Sequence, residues 1–78
     1  MVSEGGNIMT LGNKIKKRRK ELGLSQTELA EMTNISQPGI SRLENGRYVP
    51  SSPVIVVLAK ALRMSTDELL GVNERQAS

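Results

Sequence analysis

The sequence predicts one all-helical domain built from five short helices. Its only aromatic residue is Tyr48, so a core must come from Leu, Ile, Val, Met and Ala, a palette that suits packed helices better than a sandwich. Two Ser-x-x-Glu segments, Ser25 to Glu28 and Ser65 to Glu68, have the form of helix-starting capping boxes. The breaks between periodic stretches are brief, as connections between packed helices are. With 78 residues the chain can bury one core and not two, so a single fold must carry the function. The folded domain is expected over residues 10–71, with residues 1–9 and 72–78 as flexible tails.

The first helix is expected from about Leu11 to Leu22, because Leu11, Ile15, Arg19 and Leu22 share one face and Gly23 suits a left-handed cap. Arg19 interrupts that apolar stripe, so its guanidinium requires a carboxylate partner. The second helix follows Ser25 to about Met32, with Leu29 and Met32 as apolar anchors and Ala30 small enough for a neighbour to approach. Asn34 then tolerates the left-handed backbone of a tight turn.

Pro38-Gly39 alone reads as a turn, but Ser36 as N-cap puts Pro38 in a first helical turn, where its missing N–H removes little. At about 100° per residue, Ser36, Ile40, Leu43 and Glu44 of this third helix face one way, and Pro38, Ser41, Arg42 and Asn45 the other, with Gln37 at the edge. Glu44 therefore borders the core and is the natural partner of Arg19. A fourth helix is expected from Ser52 as N-cap with Pro53 following, ending near Arg63. Val54 to Val57 have strand propensity, but Leu58 to Leu62 continue a helical pattern and no second strand is available for pairing. Val56 and Val57 are assigned mainly to the core. The fifth helix holds Leu69 and Leu70 before Gly71.

Cysteine and histidine are both absent, which removes disulfides, thiolate metal sites and the Ser-His and Cys-His nucleophile pairs. No enzymatic activity and no metal or cofactor is expected. The apolar run from Val54 to Ala59 is far below the roughly 20 residues of a membrane span, and no secretory leader is visible, so a cytoplasmic location is expected. The formal net charge is +3, and residues 13–20 concentrate six of the eleven basic side chains. Such a patch favours polyanions, with Lys14, Lys17 and Arg18 reading as a general electrostatic surface.

A capped helix, a turn at Asn34 and a second helix with a polar outer face form a helix-turn-helix, spanning Gln26 to Asn45. The runs Leu24-Ser25-Gln26-Thr27-Glu28-Leu29-Ala30 and Ile40-Ser41-Arg42-Leu43-Glu44-Asn45-Gly46-Arg47 resemble the Cro and phage-repressor family, also called the xenobiotic-response-element family. So does the tail from Ala61 to Gly71. The resemblance implies a five-helix lambda-repressor-like domain, with a helix-turn-helix formed by the second and third helices, that binds double-stranded DNA. It also implies a repressor dimer reading a palindromic operator, joined through its last two helices.

Carried over position by position, it makes Gln37, Pro38, Ser41 and Arg42 the base-contacting residues. Arg42 has the chemistry to clamp guanine O6 and N7, Gln37 to pair with adenine N6 and N7, and Pro38 to touch a thymine methyl. Gln26, Ser36, Asn45, Arg47, Tyr48 and Lys17 become phosphate contacts, and Arg19 with Glu44 a structural ion pair. Asn34 stands where the family often has glycine, and Pro38-Gly39 is unusual on the reading surface. A second reading is an antitoxin-type module that masks a partner protein and autoregulates. A third, a basic helix over residues 11–22 on anionic membranes, lacks an aromatic anchor.

Overall fold

The structure, a computed structural model, describes residues 10–70 as five helices: α1 Leu11–Glu21, α2 Gln26–Thr33, α3 Gln37–Glu44, α4 Ser52–Ala61 and α5 Thr66–Leu70. The tails expected at 1–9 and 72–78, and the stop at Gly71, lie outside the described residues.

Each start has a local chemical cause. Thr10 Oγ1 accepts the Asn13 N–H at 3.1 Å and opens α1. At α2 the box is reciprocal: Ser25 Oγ accepts the Glu28 N–H at 3.0 Å while the Glu28 carboxylate accepts the Ser25 N–H at 2.8 Å. Ser65 and Glu68 repeat it at α5, at 3.0 and 2.9 Å. Ser36 Oγ takes the Gly39 N–H at 3.1 Å, and Pro38 sits in the first turn of α3. The start of α4 differs from expectation by one residue: Ser51 is the N-cap, without a side-chain cap bond, and Ser52 is already helical. Val54 to Val57 are helical, so the strand alternative is excluded.

Helices α1 to α4 end in one way. Gly23, Asn34, Gly46 and Arg63 take left-handed backbone, with φ of 74°, 62°, 75° and 59°. In each case the next N–H returns to a carbonyl five residues back: Leu24 to Arg19, Ile35 to Ala30, Arg47 to Arg42 and Met64 to Ala59. Only glycine enters this region without steric penalty, so Asn34 and Arg63 are held there by their surroundings. Ile35 and Met64 turn apolar side chains back onto the core, and Leu24 is half-buried. Arg47 is the exception; it is exposed.

The core is Ile15 from α1, Leu29 and Ala30 from α2, Ile40 and Leu43 from α3, Ile55, Leu58 and Ala59 from α4, with Leu62 and Leu69. Helix α3 packs on α1 and α2, α2 also meets α4, and α5 lies against α1 and α4. Two apolar expectations fail. Met32 is 54% exposed and Thr33 is buried in its place. Because both Leu29 and Ala30 face inward, Thr33 lies within about 10° of their mean direction and Met32 about 110° from it. The Thr33 hydroxyl satisfies itself by donating to the Leu29 carbonyl at 2.8 Å. Val56 and Val57 are surface residues rather than core, because Ile55, Leu58, Ala59 and Leu62 take the inward positions.

Gly12 marks the tightest crossing. A Cβ there would stand 2.6 Å from the Glu44 carbonyl oxygen and nearer still to that of Leu43, so α1 rests directly on the end of the α3 backbone. Gly12→Ala should therefore destabilise, the clash of about 1–3 kcal/mol outweighing the helix-propensity gain of about 1 kcal/mol. Thermal denaturation checks it, each 1 kcal/mol moving Tm by roughly 4–8 °C in a domain of this size. Arg63→Gly should instead stabilise by about 0.5 kcal/mol, since relief of left-handed strain exceeds the added freedom of the unfolded chain.

Candidate nucleic-acid interface

At the centre of α1, α2 and α3 lies a buried ion pair. Arg19 and Glu44 are only 8% and 5% exposed, and the guanidinium grips the carboxylate with Nε on Oε2 at 2.6 Å and Nη2 on Oε1 at 3.1 Å. A buried charge left unpaired costs several kcal/mol, and a two-pronged contact is the geometry that best offsets it. The third donor, Nη1, goes to the Leu24 carbonyl at 2.8 Å, in the turn after α1. Among the described residues no buried side-chain N or O lacks a partner.

The pair extends outward as a chain of amides. Gln26, the first residue of α2, donates Nε2 to Glu44 Oε1 at 3.0 Å. Its Oε1 accepts Gln37 Nε2, at the first position of α3, at 2.8 Å. Arg19, Glu44, Gln26 and Gln37 thus form one network from the core to the surface, which joins the ion pair expected from the sequence to two glutamines that sequence reasoning left apart from it. The link spans 11 residues between two helix starts. No helical periodicity reports such a contact, and only the crossing of α2 and α3 creates it.

The outer face of α3 is assembled around this network. Gln37, Pro38, Arg42 and Asn45 are exposed. Ser41, expected to project freely, is half-buried, and its hydroxyl accepts Asn45 Nδ2 at 3.4 Å. Its neighbour on the following turn thus restrains it. Ser36 is exposed, with its hydroxyl engaged as the α3 cap. Arg47 and Tyr48 are exposed on the loop after α3.

Lys17 is exposed on α1 but lies about 200° around the helix from Arg19, so the structure does not bring it to the amide network. Arg18 departs from its reading as a free surface charge. Its Nε donates to the Leu62 carbonyl at 2.9 Å and Nη2 to that of Arg63 at 3.4 Å, capping the end of α4. The sequence signal was too faint to find this, since the two partners are 44 and 45 residues away.

A capped helix, a left-handed turn and a second helix laid across the first define a helix-turn-helix, here with the second helix displaying polar side chains. The helix-turn-helix family model matches residues 15–69. The immunity repressor protein of Bacillus phage phi105 is 37% identical over 73 residues, covering 88% of this chain and 51% of that protein. The regulator ImmR of Bacillus subtilis strain 168, a helix-turn-helix transcriptional regulator, is 35% identical, with 85% and 52% covered. The chain therefore spans about half the length of these relatives. Among solved structures, the P22 c2 repressor in complex with a synthetic operator superposes with a TM-score of 0.77 at 35% identity, covering 81% of this chain and 96% of that one. The chain belongs to the Cro and phage-repressor type of helix-turn-helix transcription regulators, proteins that bind double-stranded DNA.

Removing one member of the ion pair should be severe. Glu44→Ala should cost roughly 3–5 kcal/mol by stranding the Arg19 charge. Replacing both residues by methionine should recover most of that loss, because two stranded charges become apolar packing. Urea denaturation of Arg19→Met, Glu44→Met and the double methionine variant measures the coupling.

Proposed function

We propose that this domain represses transcription by binding as a dimer to a palindromic operator, with α3 of each copy in the major groove. The observation that carries the reading is the outer face of α3, where Gln37, Pro38 and Arg42 stand exposed on a helix whose opposite face is locked into the core through Ile40, Leu43 and Glu44. A rod of that width fits the major groove, where each base pair offers a distinct donor and acceptor pattern. Arg42 is assigned to guanine O6 and N7, Gln37 to adenine, Pro38 to a thymine methyl, and Ser41 to a lesser contact constrained by Asn45.

Phosphate contacts are assigned to Gln26 and Ser36, at helix starts whose free amides favour anions, and to Asn45, Arg47 and Tyr48 beyond α3. Arg47 supports this: the other helix ends place an apolar residue at the equivalent position, whereas here a cation faces water beside the reading helix. Lys17, remote from the amide network, contributes through the general positive field of α1.

Self-association is assigned to the side formed by α4, α5 and the preceding loop, where Val49, Val56 and Leu70 are 85%, 41% and 48% exposed around an apolar groove of about 400 Å³. Two copies joined there would address half-sites about one helical turn apart.

Selection of bound duplexes from a random pool at two salt concentrations tests the proposal. A two-fold symmetric motif is expected, and salt-sensitive binding with no motif overturns it. Against the selected duplex, Arg42→Ala should lose about 1–3 kcal/mol at one base pair only. Lys17→Ala should weaken all sequences alike and shrink the salt slope by up to about 1.

A further inference from the structure

Two adjacent residues of α1 reach in different directions. Arg19 holds the last residue of α3 through the Glu44 carboxylate, at 2.6 and 3.1 Å. Arg18 holds the turn between α4 and α5, donating to the Leu62 carbonyl at 2.9 Å and to the Arg63 carbonyl at 3.4 Å. Glu21, 3.4 Å from Nη1, steadies the same guanidinium from the other side. Among the described helices, α1 alone packs closely on both α3 and α5. The reading helix and the association side are therefore joined chiefly through it. Apolar contacts along that route are non-directional, and α5 supplies few of them, with five residues and only Leu69 buried.

The turn that Arg18 grips is also a strained one. Arg63 has a φ of 59°, a conformation that a residue with a Cβ adopts only under constraint. The two carbonyls that Arg18 engages belong to the peptide groups flanking the Arg63 Cα. One guanidinium thus restrains both planes whose rotation would swing α5 relative to α4.

We infer that Arg18 is a brace that fixes the angle between the reading helix and the self-association side, and so sets which half-site spacing a dimer accepts. The inference rests on the dimeric reading proposed above. A dimer senses spacing only if each reading helix stands at a fixed distance and rotation from the shared interface. One added base pair displaces a half-site by about 3.4 Å along the axis and about 34–36° around it. A loose α4–α5 turn would absorb part of that displacement; a braced one would not. Arg18 is a positioning residue, acting through the turn and not on a base.

Affinity would be measured for operators built from the selected half-site, at the selected spacing, with one or two base pairs added or removed, and for a single half-site. For a change of one base pair the wild type should lose about tenfold or more, part of the gain that joint binding provides. Arg18→Met should shrink that loss to about threefold or less while binding a single half-site within about twofold of wild type. Arg63→Gly, with both carbonyls still held, should stay as steep as wild type. The double variant Arg18→Met, Arg63→Gly should regain thermal stability and keep the broadened spacing, which separates bracing from stability.

If Arg18→Met keeps the wild-type dependence on spacing, or if the double variant recovers it along with stability, Arg18 is only a stabilising cap. The brace is then overturned while dimeric reading stands. A broadened Arg63→Gly overturns it too, since Arg18 would not be what holds the turn. A wild type that binds every spacing no better than a single half-site overturns both.

Discussion

The Arg19–Glu44 pair is the interaction on which the remaining architecture depends. Apolar contacts of Ile40 and Leu43 hold α3 against the core but are non-directional, so by themselves they tolerate rotation and sliding of a two-turn helix. The guanidinium fork is directional in both distance and plane, and it engages the last residue of α3. Gly12 adds a second constraint at the same end by letting α1 touch the α3 backbone. Together they fix which side of α3 faces out, at a place where aliphatic packing alone would leave the angle poorly specified.

Such a device suits a domain this small. With no aromatic side chain inside, the core is a set of Leu, Ile and Ala contacts whose total burial is modest. Stability is therefore supplemented at the helix ends, by four hydroxyl caps and four left-handed closures, each satisfying backbone groups that would otherwise be orphaned. Arg18 belongs with them, since it serves the carbonyls at the end of α4. Most of the side-chain hydrogen bonding among the described residues thus holds segments of backbone in place, and the most extended exception is the chain of side chains from Arg19 to Gln37.

What the sequence made legible follows the range of the interaction concerned. Capping at Ser25, Ser36 and Ser65, and the closures at Gly23, Asn34 and Gly46, act within a few residues and can be read from residue type and spacing. Adjacent serines at 51 and 52 defeated the same reasoning, because neither the side chain nor the spacing distinguishes them and no cap bond forms. Met32 was misplaced because hydrophobicity was weighed without the direction set jointly by Leu29 and Ala30. The Arg19–Glu44 pairing was deducible, a lone charge in an apolar stripe demanding an opposite one. The amide links from Glu44 to Gln26 and Gln37, the crossing at Gly12 and the role of Arg18 were not legible, since each depends on how distant helices lie across one another.

That α3 is a locked helix with Gln37 and Arg42 turned out toward base edges is tested most directly by nuclear Overhauser contacts in a complex with a duplex taken from selection. The account predicts contacts from the side chains of Gln37, Pro38 and Arg42 to base protons and thymine methyls of the major groove. Contacts confined to the lysines of α1, with none from α3, would contradict it.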